Sequence, residues 1–478
     1  MSIKTPLGAT ADGGAFETAG TAGHPDPAAA HAQRHPVARP RAELIGIGAT
    51  VAVPLLGLVL CAAGTRSAAL VPQSIGLAPW ASGMTGPLAY LGFSLGVGGV
   101  VAALLTLLGL YLIALRHSEL VPNRLIVGAV VAFTVVALVG PPLFSTDAFS
   151  YQAYARMLAH YHINPYLHGP DAIGSYPLTN TLTSYIGAKW VKTPSVYGPL
   201  FTFLSVIFQS RSVAFNYYAF KVIAALASGG TLLMIWRLAG QRGVNQRRAI
   251  ALFGLNPLVT LYGVGGGHND LLMLLLMTGG VYAILARRDG AGAVLLTAGA
   301  AVKLTGGIVL PFALVGELRQ GSLRTRGRSM LIGIAVPTAI IAGASYAVFG
   351  TGILHMLSAL QAVQWQGAWQ SLPGLFFSLA RAPVSRGVRI ADDVVLAAVI
   401  LWLLHRVWRG RLDWVEAAAW ATFAVLATAW SLLPWYSAWL LPLVAISAER
   451  RVWRVAVAAT LMGSAIMVAG CFPSWNWL

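Results

Sequence analysis

The stretch Ser145–Pro170 holds the residues best suited to chemistry. It follows a long apolar run, Leu125–Phe144, and Asp147 lies where an apolar helix should leave a bilayer. Arg156 and three histidines follow, with aromatic residues between them. A carboxylate at a membrane surface, backed by cations and aromatic rings, suits sugar or phosphate chemistry. The plainer alternative is that Asp147 only caps a helix, since Ser, Thr and Asp are all good N-caps.

The composition indicates a polytopic membrane protein. Of the 478 residues, 57% are hydrophobic and only 10% are charged, with a mean hydropathy of +0.71, whereas a soluble domain carries about 25% charged residues. Basic cytoplasmic loops explain the net charge of +17 under the positive-inside rule, so we expect no nucleic-acid partner. Cys61 and Cys471 lie far apart in apolar runs and offer neither a disulfide framework nor a metal site.

The elements that must position this chemistry are apolar runs of about 20 residues, each long enough to cross a hydrocarbon core of about 30 Å. We predict an all-α polytopic membrane protein with about 13 spans in residues 43–478, after a disordered cytoplasmic tail over residues 1–42. Arginine clusters mark the cytoplasmic side, which places the N-terminus inside and residues 145–213 outside as the first large outer loop. We therefore expect a multi-pass protein of the plasma membrane with its active site on the outer face. Single spans are predicted near 43–64, 89–115, 124–144, 214–238, 248–265, 269–286, 329–349, 391–409, 414–430, 433–448 and 454–471.

Two segments depart from the regular pattern. Pro199–Ser210 is apolar but only about 12 residues long, which is short for a span, and a crossing there would put the next arginine cluster outside. We therefore predict a re-entrant half-helix, which needs protein or a water-filled cavity around it. Tyr197 lies just before this half-helix, and it either contacts substrate or has a purely conformational role where the chain turns. The segment 291–316 lies between two basic clusters, so it must go out and return, which lifts Lys303 to the outer face.

Carboxylates are few, with only 15 acidic residues in the chain. A general base needs a carboxylate near its target hydroxyl, and Asp147 is the first one on the predicted outer side. Glycosidases need a second carboxyl group to protonate a leaving alcohol, but a phosphate departs as an anion and needs no acid. One base with cations is therefore enough for a sugar phosphate donor. The cations assigned to the outer face are Arg156, Lys189, Lys192, Arg211, Lys221, Lys303, Arg381, Arg386 and Arg389.

Lysine and histidine provide candidates for binding the phosphate. Lys303 at membrane depth is a functional candidate, although a lysine can also simply extend to the interface. His268, Asn269 and Asp270 follow three glycines, which permit close approach to a ligand, and Asp270 could equally be the N-cap of the next span. For Lys189 the alternative is a solvated surface position. The candidates for the donor phosphate are Lys303, Arg156, His268 and Lys189.

Aromatic and amide side chains provide candidates for sugar contact. An outer loop with Gln364, Trp365 and Trp369 suits stacking on a sugar and hydrogen bonding to it. Trp435 and Tyr436 lie at another outer helix end, where aromatic residues also form interface belts regardless of function. The predicted substrate-binding residues are Tyr151, Tyr197, Asn269, Asp270, Gln364, Trp365, Trp369, Trp435 and Tyr436.

The sequence has no P-loop and no Gly-x-Gly-x-x-Gly fingerprint, and its outer side has no Asp-x-Asp motif. We therefore expect no metal and no cofactor, and a donor linked to lipid rather than to a nucleotide. No internal repeat is visible, which disfavours the common transporter folds.

Five segments in order across about residues 125–445 resemble the actinobacterial polyprenyl-phosphomannose-dependent α-1,6-mannosyltransferases of the lipomannan pathway, which are of the GT-C type. The segments are Ser-Thr-Asp-Ala-Phe-Ser-Tyr with Asn-Pro-Tyr-Leu-His-Gly-Pro, Val-Tyr-Gly-Pro-Leu-Phe, Leu-Asn-Pro-Leu-Val with Gly-Gly-His-Asn-Asp, Val-Lys-Leu-Thr with Leu-Pro-Phe, and Leu-Leu-Pro-Trp-Tyr-Ser-Ala-Trp.

The resemblance implies a GT-C architecture with the catalytic base at Asp147. It implies transfer of mannose from a polyprenyl-phosphate-mannose donor to the 6-hydroxyl of an α-mannoside or mannolipid acceptor, with inversion and without a metal. The chain looks more like the B paralogue, which acts near the membrane anchor, than the distal A paralogue. Two alternatives stay open: another lipid-linked sugar such as arabinofuranose on the same fold, and a flippase or transporter, which predicts charges at the membrane midplane.

Overall fold

The computed structural model describes residues 38–64, 66–70, 84, 86–176, 180–188, 190–209, 212–320, 326–365 and 370–472. Contacts divide the chain into Met1–Ala42 and Glu43–Leu478, and the account below concerns the second unit. Across the described ranges every regular element is helical and no strand occurs. The α-helices are α1 Ala38–Ala63, α2 Val97–His117, α3 Asn123–Val139, α4 Asp147–His160, α5 Asn180–Ser184, α6 Pro199–Val206, α7 Val213–Gln241, α8 Gln246–Gly254, α9 Asp270–Leu285, α10 Asp289–Val302, α11 Val309–Gln320, α12 Arg328–Phe349, α13 His355–Trp365, α14 Leu372–Leu379, α15 Arg386–Trp408, α16 Trp414–Thr428, α17 Leu441–Ala445 and α18 Arg450–Ala469.

The longest apolar helices identify a membrane protein. Their outer surfaces carry large exposed apolar side chains such as Leu226 and Ile340, which a hydrocarbon core would cover. The expected all-α membrane class is therefore confirmed, whereas the count of about 13 spans and the GT-C architecture stay predictions. In the described part of the chain, five helical segments are long and apolar enough to cross: Pro40–Ala63, Val97–His117, Val213–Gln241, Arg328–Trp365 and Arg450–Ala469.

Two of the predicted spans are not continuous helices. The span near 248–265 is interrupted at Pro257, where α8 gives way to a π-helix, and the span near 433–448 consists of a 3₁₀ turn, Pro434–Trp439, followed by α17. Proline lacks a backbone N–H and disfavours a helical residue before it, which accounts for both breaks. Both segments are buried along nearly their whole length, the setting in which irregular backbone is tolerated at membrane depth.

The short helix α6 lies against the end of α10. With eight residues it is about 12 Å long, too short to cross a core of about 30 Å. The N–H of Gly198 donates to the carbonyl oxygen of Val302 at 3.0 Å. Lys303 follows with extended backbone, φ −152° and ψ 125°, and α11 begins at Val309. The helix break therefore falls at the lysine where the sequence placed an apex, and the re-entrant course of α6 stays a prediction.

Gln364 and Trp365, which the sequence places in an outer loop, belong to helix α13, and the short helix α14 follows. The start of α14 has ordinary helix signals: Ser371 Oγ accepts from the N–H of Gly374 at 3.0 Å, and Pro373 lies in the first turn. Phe376 and Leu379 on this helix are exposed. The amide and indole residues nearby led to the prediction of a loop where the structure has a short apolar helix.

Lys221 of α7 is fully buried and holds the end of α3. Its Nζ donates to the carbonyl oxygen of Gly140 at 2.6 Å and lies 5.5 and 5.3 Å from the ring centres of Tyr217 and Tyr218. A cation is favoured at a helix C-terminus by the helix dipole. The assignment of this lysine to the outer face stays a prediction, and its ammonium group holds the segment that leads to Asp147.

Candidate active site

Asp147 is the first residue of α4, and its carboxylate reaches a cavity. The N-cap is Thr146, whose side chain makes no capping hydrogen bond, and the N–H of Asp147 donates to Ser145 Oγ at 3.2 Å. The helix dipole favours a carboxylate in this first turn. The Asp147 side chain is nevertheless 22% exposed and lines the cavity. A capping role alone does not account for that placement.

The cavity opens to one side and holds about 100 Å³ of space accessible to a water-sized sphere. Among the described residues, its walls combine one carboxylate and one ammonium group with many aromatic rings. The polar and aromatic residues that line it are Ser145, Thr146, Asp147, Ser150, Tyr154, Trp190, Thr193, Tyr197, Tyr262, Lys303, Gln364, Trp435 and Tyr436.

A buried chain of charged groups connects the carboxylate to the lysine. His268 Nδ1 lies 3.3 Å from Asp147 Oδ2 and 3.8 Å from Asp270 Oδ2. Asp270 Oδ1 accepts from Lys303 Nζ at 2.7 Å and from Trp439 Nε1 at 2.6 Å. Since His268 and Asp270 are almost wholly buried, only the two ends of this chain, Asp147 and Lys303, reach the cavity.

The glycines before His268 shape the turn that brings it there. Gly267 has φ +65°, a conformation that costs glycine little and other residues more. A Cβ at Gly266 would lie 2.7 Å from His268 Cδ2, so the ring occupies space that a side chain at 266 would fill. The histidine ring packs on Trp435, with ring centres 4.2 Å apart. The three glycines therefore permit a close approach, as expected, but the group that approaches the backbone is the His268 ring.

Lys303 lies between a carboxylate and two aromatic rings. Its Nζ is 4.9 Å from the ring centre of Tyr436 and 5.2 Å from that of Trp439, distances typical of cation–π contacts. The side chain is 12% exposed and lines the cavity. Asp270 thus partly balances the ammonium charge, while one face of the group stays open toward a ligand.

Several of the predicted site residues lie beneath the cavity or away from it. Tyr151 is buried, and its OH donates to Asn269 Oδ1 at 3.3 Å; neither residue reaches the cavity wall. Arg156 is nine residues beyond Asp147 along α4, about 13 Å along the helix axis. Trp365 packs under the guanidinium of Arg386, 5.9 Å from its ring centre.

The remaining predicted residues have mixed placements. Gln364 lines the cavity, but its Oε1 accepts from the N–H groups of Trp430 and Ser431 and its Nε2 donates to the Ser431 carbonyl. Tyr197, Trp435 and Tyr436 form part of the wall. The predicted residues Lys189 and Trp369 lie outside the described residues.

The sequence reasoning missed two residues on the same helix face as Asp147. Ser150 and Tyr154 line the cavity and follow the aspartate by three and seven residues, the spacing of one helix face. That periodicity was readable in the sequence. In the described part of the chain, no group of three or more His, Cys, Asp or Glu residues is arranged to hold a metal.

The charges around Asp147 predict a flat pH profile. Burial alone would raise the pKa of the Asp147 carboxyl. The close contact with His268 and the charges of His268 and Lys303 outweigh burial and hold this pKa below its usual value of about 3.9. A carboxyl with a lowered pKa loses its proton-accepting form only as the pH falls through that pKa. We therefore expect kcat of a transfer reaction based on Asp147 to stay constant between about pH 5 and 7.5. An acidic limb in this range, measured with the protein still folded, would contradict the assignment.

Replacing Gly198 with alanine is expected to disturb the contact between Gly198 and the backbone just before Lys303. A Cβ there would overlap the carbonyl oxygen of Ala301, and overpacking of this kind costs about 1–3 kcal/mol. We expect a lower melting temperature in detergent and weaker transfer activity. Gly109→Ala in α2 is the matched control, because no atom lies within 4 Å of its added Cβ. Equal melting temperatures for the two variants would contradict the packing argument.

With the fold and site in place, comparison with known proteins defines the class as membrane mannosyltransferase. Residues 44–318 match the family model described as alpha-(1->6)-mannopyranosyltransferase, N-terminal domain, and residues 366–473 match the MptB C-terminal domain. Because the first match alone covers more than half of the chain, this protein belongs to the α-(1→6)-mannopyranosyltransferase family. The family resemblance inferred from the sequence is confirmed.

The similar proteins include both paralogues. Alpha-(1->6)-mannopyranosyltransferase A of Mycobacterium tuberculosis is 30% identical over 74% of each chain. A probable alpha-(1->6)-mannopyranosyltransferase of Mycolicibacterium smegmatis is 26% identical over 69% of this chain and 66% of its own. Alpha-(1->6)-mannopyranosyltransferase B of Corynebacterium glutamicum is 25% identical over 66% of this chain and 58% of its own. No solved structure matches this chain, and the expected likeness to B stays a prediction.

Proposed function

We propose that this protein transfers mannose from a polyprenyl-phosphate-mannose donor to the 6-hydroxyl of an α-mannoside or mannolipid acceptor, with inversion at the anomeric carbon. The observation that carries the proposal is the pairing of one carboxylate, Asp147, with one ammonium group, Lys303, on the wall of one cavity. The names of the similar proteins support the α-1,6-mannosyl transfer. The donor, the acceptor and the stereochemistry are part of the proposal.

The proposed step is a single displacement. The acceptor O6 attacks the anomeric carbon and forms the new C–O bond, while Asp147 takes the O6 proton as general base. The bond between the anomeric carbon and the phosphate oxygen breaks, and its electron pair leaves with the phosphate. The departing polyprenyl phosphate needs no proton, since Lys303 offsets its growing negative charge. One base and one cation thus suffice, and one displacement inverts the configuration.

The cavity walls suit both the sugars and the lipid. Tyr197, Trp435 and Tyr436 offer ring faces to the pyranose rings. Leu360 and Val363 of α13 line another side, and Leu357 on the same helix is exposed. We propose that the polyprenyl tail leaves the cavity along this apolar helix. An apolar wall continuous with a lipid-facing surface favours a lipid-linked donor over a nucleotide sugar.

We place the site on the outer face of the plasma membrane, with the N-terminus in the cytoplasm. This assignment is supported by the arginine clusters, which mark the opposite side under the positive-inside rule. At that opposite side Arg326 Nε donates to Asp289 Oδ2 at 2.7 Å, and its NH2 lies 2.6 Å from Glu317 Oε2. We also retain the B-type, membrane-proximal acceptor as part of the proposal.

The test is transfer by the purified protein in detergent, with synthetic mannosyl phosphopolyprenol and a short α-mannoside. Equal amounts of extended mannoside and polyprenyl phosphate are expected, and GDP-mannose is expected to give none. No polyprenyl phosphate release across several acceptors would overturn the proposal. Turnover of an arabinofuranosyl donor instead would assign the other lipid-linked sugar. Movement of intact donor across vesicles would assign a flippase.

A further inference from the structure

His268 does not contact the cavity where the donor phosphate is expected. Its side chain has 0% exposure and is covered by the ring of Trp435, which forms the wall itself. In the ranges that the structure describes, neither ring nitrogen has a hydrogen bond of good geometry. The histidine is nevertheless 3.3 Å from the Asp147 carboxylate. A fully buried polar ring pressed against the reacting group needs a role other than ligand contact.

We propose that His268 and Asp270 form a buried positioning pair, in which His268 holds Asp147 ionised and oriented while Asp270 holds Lys303 at the phosphate position. This inference rests on the proposed function. It goes beyond it by giving both residues a role that requires no contact with substrate. The base and the cation would then be set at a fixed separation by one turn, Gly265–Asp270.

The geometry around His268 carries the first half of the proposal. The imidazole lies between two carboxylates, with Nδ1 at 3.3 Å from Asp147 and 3.8 Å from Asp270. Two carboxylates and the single ammonium of Lys303 leave one uncompensated negative charge in a buried cluster. A protonated His268 neutralises it, and buried charges persist only when they are paired.

The contacts of Asp270 carry the second half. Its Oδ1 accepts from both Lys303 Nζ and Trp439 Nε1, so the carboxylate is fixed by an indole that does not titrate. Trp439 also stacks on Tyr436, with ring centres 4.1 Å apart, and Tyr436 forms part of the cavity wall. The Asp270 carboxylate and the rings of Tyr436 and Trp439 together fix the position of the Lys303 ammonium group. Loss of Asp270 would release the ammonium group from this position.

The pH dependence of Asp147 depends on every titratable group that faces it. The glycine turn contributes His268 and Asp270, and the break after α10 contributes Lys303. Tyrosines approach from three other elements: Tyr151 and Tyr154 from α4 itself, Tyr197 from the segment before α6, and Tyr436 from the turn before α17. Burial raises the pKa of Asp147, so without His268 the described groups that still favour its ionised form are Lys303, the Tyr197 hydroxyl and the N-terminus of α4.

The test compares His268→Gln with the control His168→Gln, an exposed histidine of the outer loop. Dicyclohexylcarbodiimide labels protonated carboxyl groups, and peptide mass spectrometry measures the labelled fraction of Asp147 without any need for activity. We expect little labelling of the wild type and the control between about pH 5 and 7.5. We expect labelling of His268→Gln to rise severalfold toward pH 5. Equal labelling in a variant with a wild-type melting temperature would overturn the role of His268.

Kinetics provide the second readout. We expect kcat of His268→Gln to fall on the acidic side above pH 5, with little change in the donor KM. We expect the double variant His268→Gln/Asp147→Asn to have the same kcat as Asp147→Asn alone. Asp270→Asn is expected to raise the donor KM about tenfold, with exposed Asp171→Asn as its control. An unchanged donor KM for a folded Asp270→Asn variant would overturn the role of Asp270. Absence of mannose transfer by the wild type would overturn the proposed function, while the labelling result would still decide the role of His268.

Discussion

The Asp147→Asn variant is expected to transfer mannose about 10²-fold or more slowly than the wild type, in line with the loss of a general base. The change keeps the size of the side chain and removes only its ability to accept a proton. Because no second exposed carboxylate lines the described part of the cavity, no neighbour can take over. The rate is measured with synthetic mannosyl phosphopolyprenol and a short α-mannoside in detergent.

Two further variants make this result specific. Asp171→Asn alters an exposed carboxylate of the same outer loop and is expected to keep wild-type activity. Asp147→Glu keeps the base but displaces it by one methylene, so an intermediate rate is expected. If Asp147→Asn retained near-normal kcat, Asp147 would serve only the first turn of α4, and the general-base assignment would be wrong.

Lys303→Gln is expected to give the second largest loss, about 10²-fold in kcat/KM, the magnitude seen when one electrostatic stabiliser of a transition state is removed. Lys303 Nζ is the ammonium group on the described cavity wall. Its removal weakens both the binding of the donor diester and the stabilisation of the departing monoester. We therefore expect the donor KM to rise and kcat to fall, with the acceptor KM nearly unchanged.

The matched control for Lys303 is Lys192→Gln, which alters an exposed lysine of the outer loop. This variant is expected to behave as the wild type. Melting temperatures of both variants show whether the loss of the ion pair to Asp270 affects folding. A folded Lys303→Gln protein with unchanged donor KM and kcat would remove Lys303 from the phosphate site.

The positions of Asp147 and Lys303 were predictable because each interrupts an apolar run. A carboxylate or an ammonium group in such a run is costly in the membrane, so hydropathy alone marks it. The break in the helix at Lys303 and the short length of α6 follow from the same pattern. These features depend on residues near each other in sequence, where periodicity and length are informative.

The connection between these residues was not predictable from the single sequence. His268 follows Asp147 by 121 positions, and the two residues meet because α4 and α9 both pack against α7. The sequence showed that the three glycines allow close approach but not that the approaching group is a histidine ring. Arg156 shares the loop of Asp147 but lies two to three helical turns away, so proximity in sequence was misleading there. The hydrogen bond from Trp439 to Asp270 was not predictable either, because aromatic residues at a helix end are equally well explained by an interface belt.

The most direct test of the account is the structure of the product. A β-linked mannosyl phosphopolyprenol and an α-mannoside are incubated with the purified protein, and the new linkage is assigned by NMR. We expect an α-1,6 bond, because one displacement with Asp147 as the base inverts the anomeric carbon. A β linkage would require two displacements and a nucleophilic carboxylate, and it would contradict the single-base mechanism.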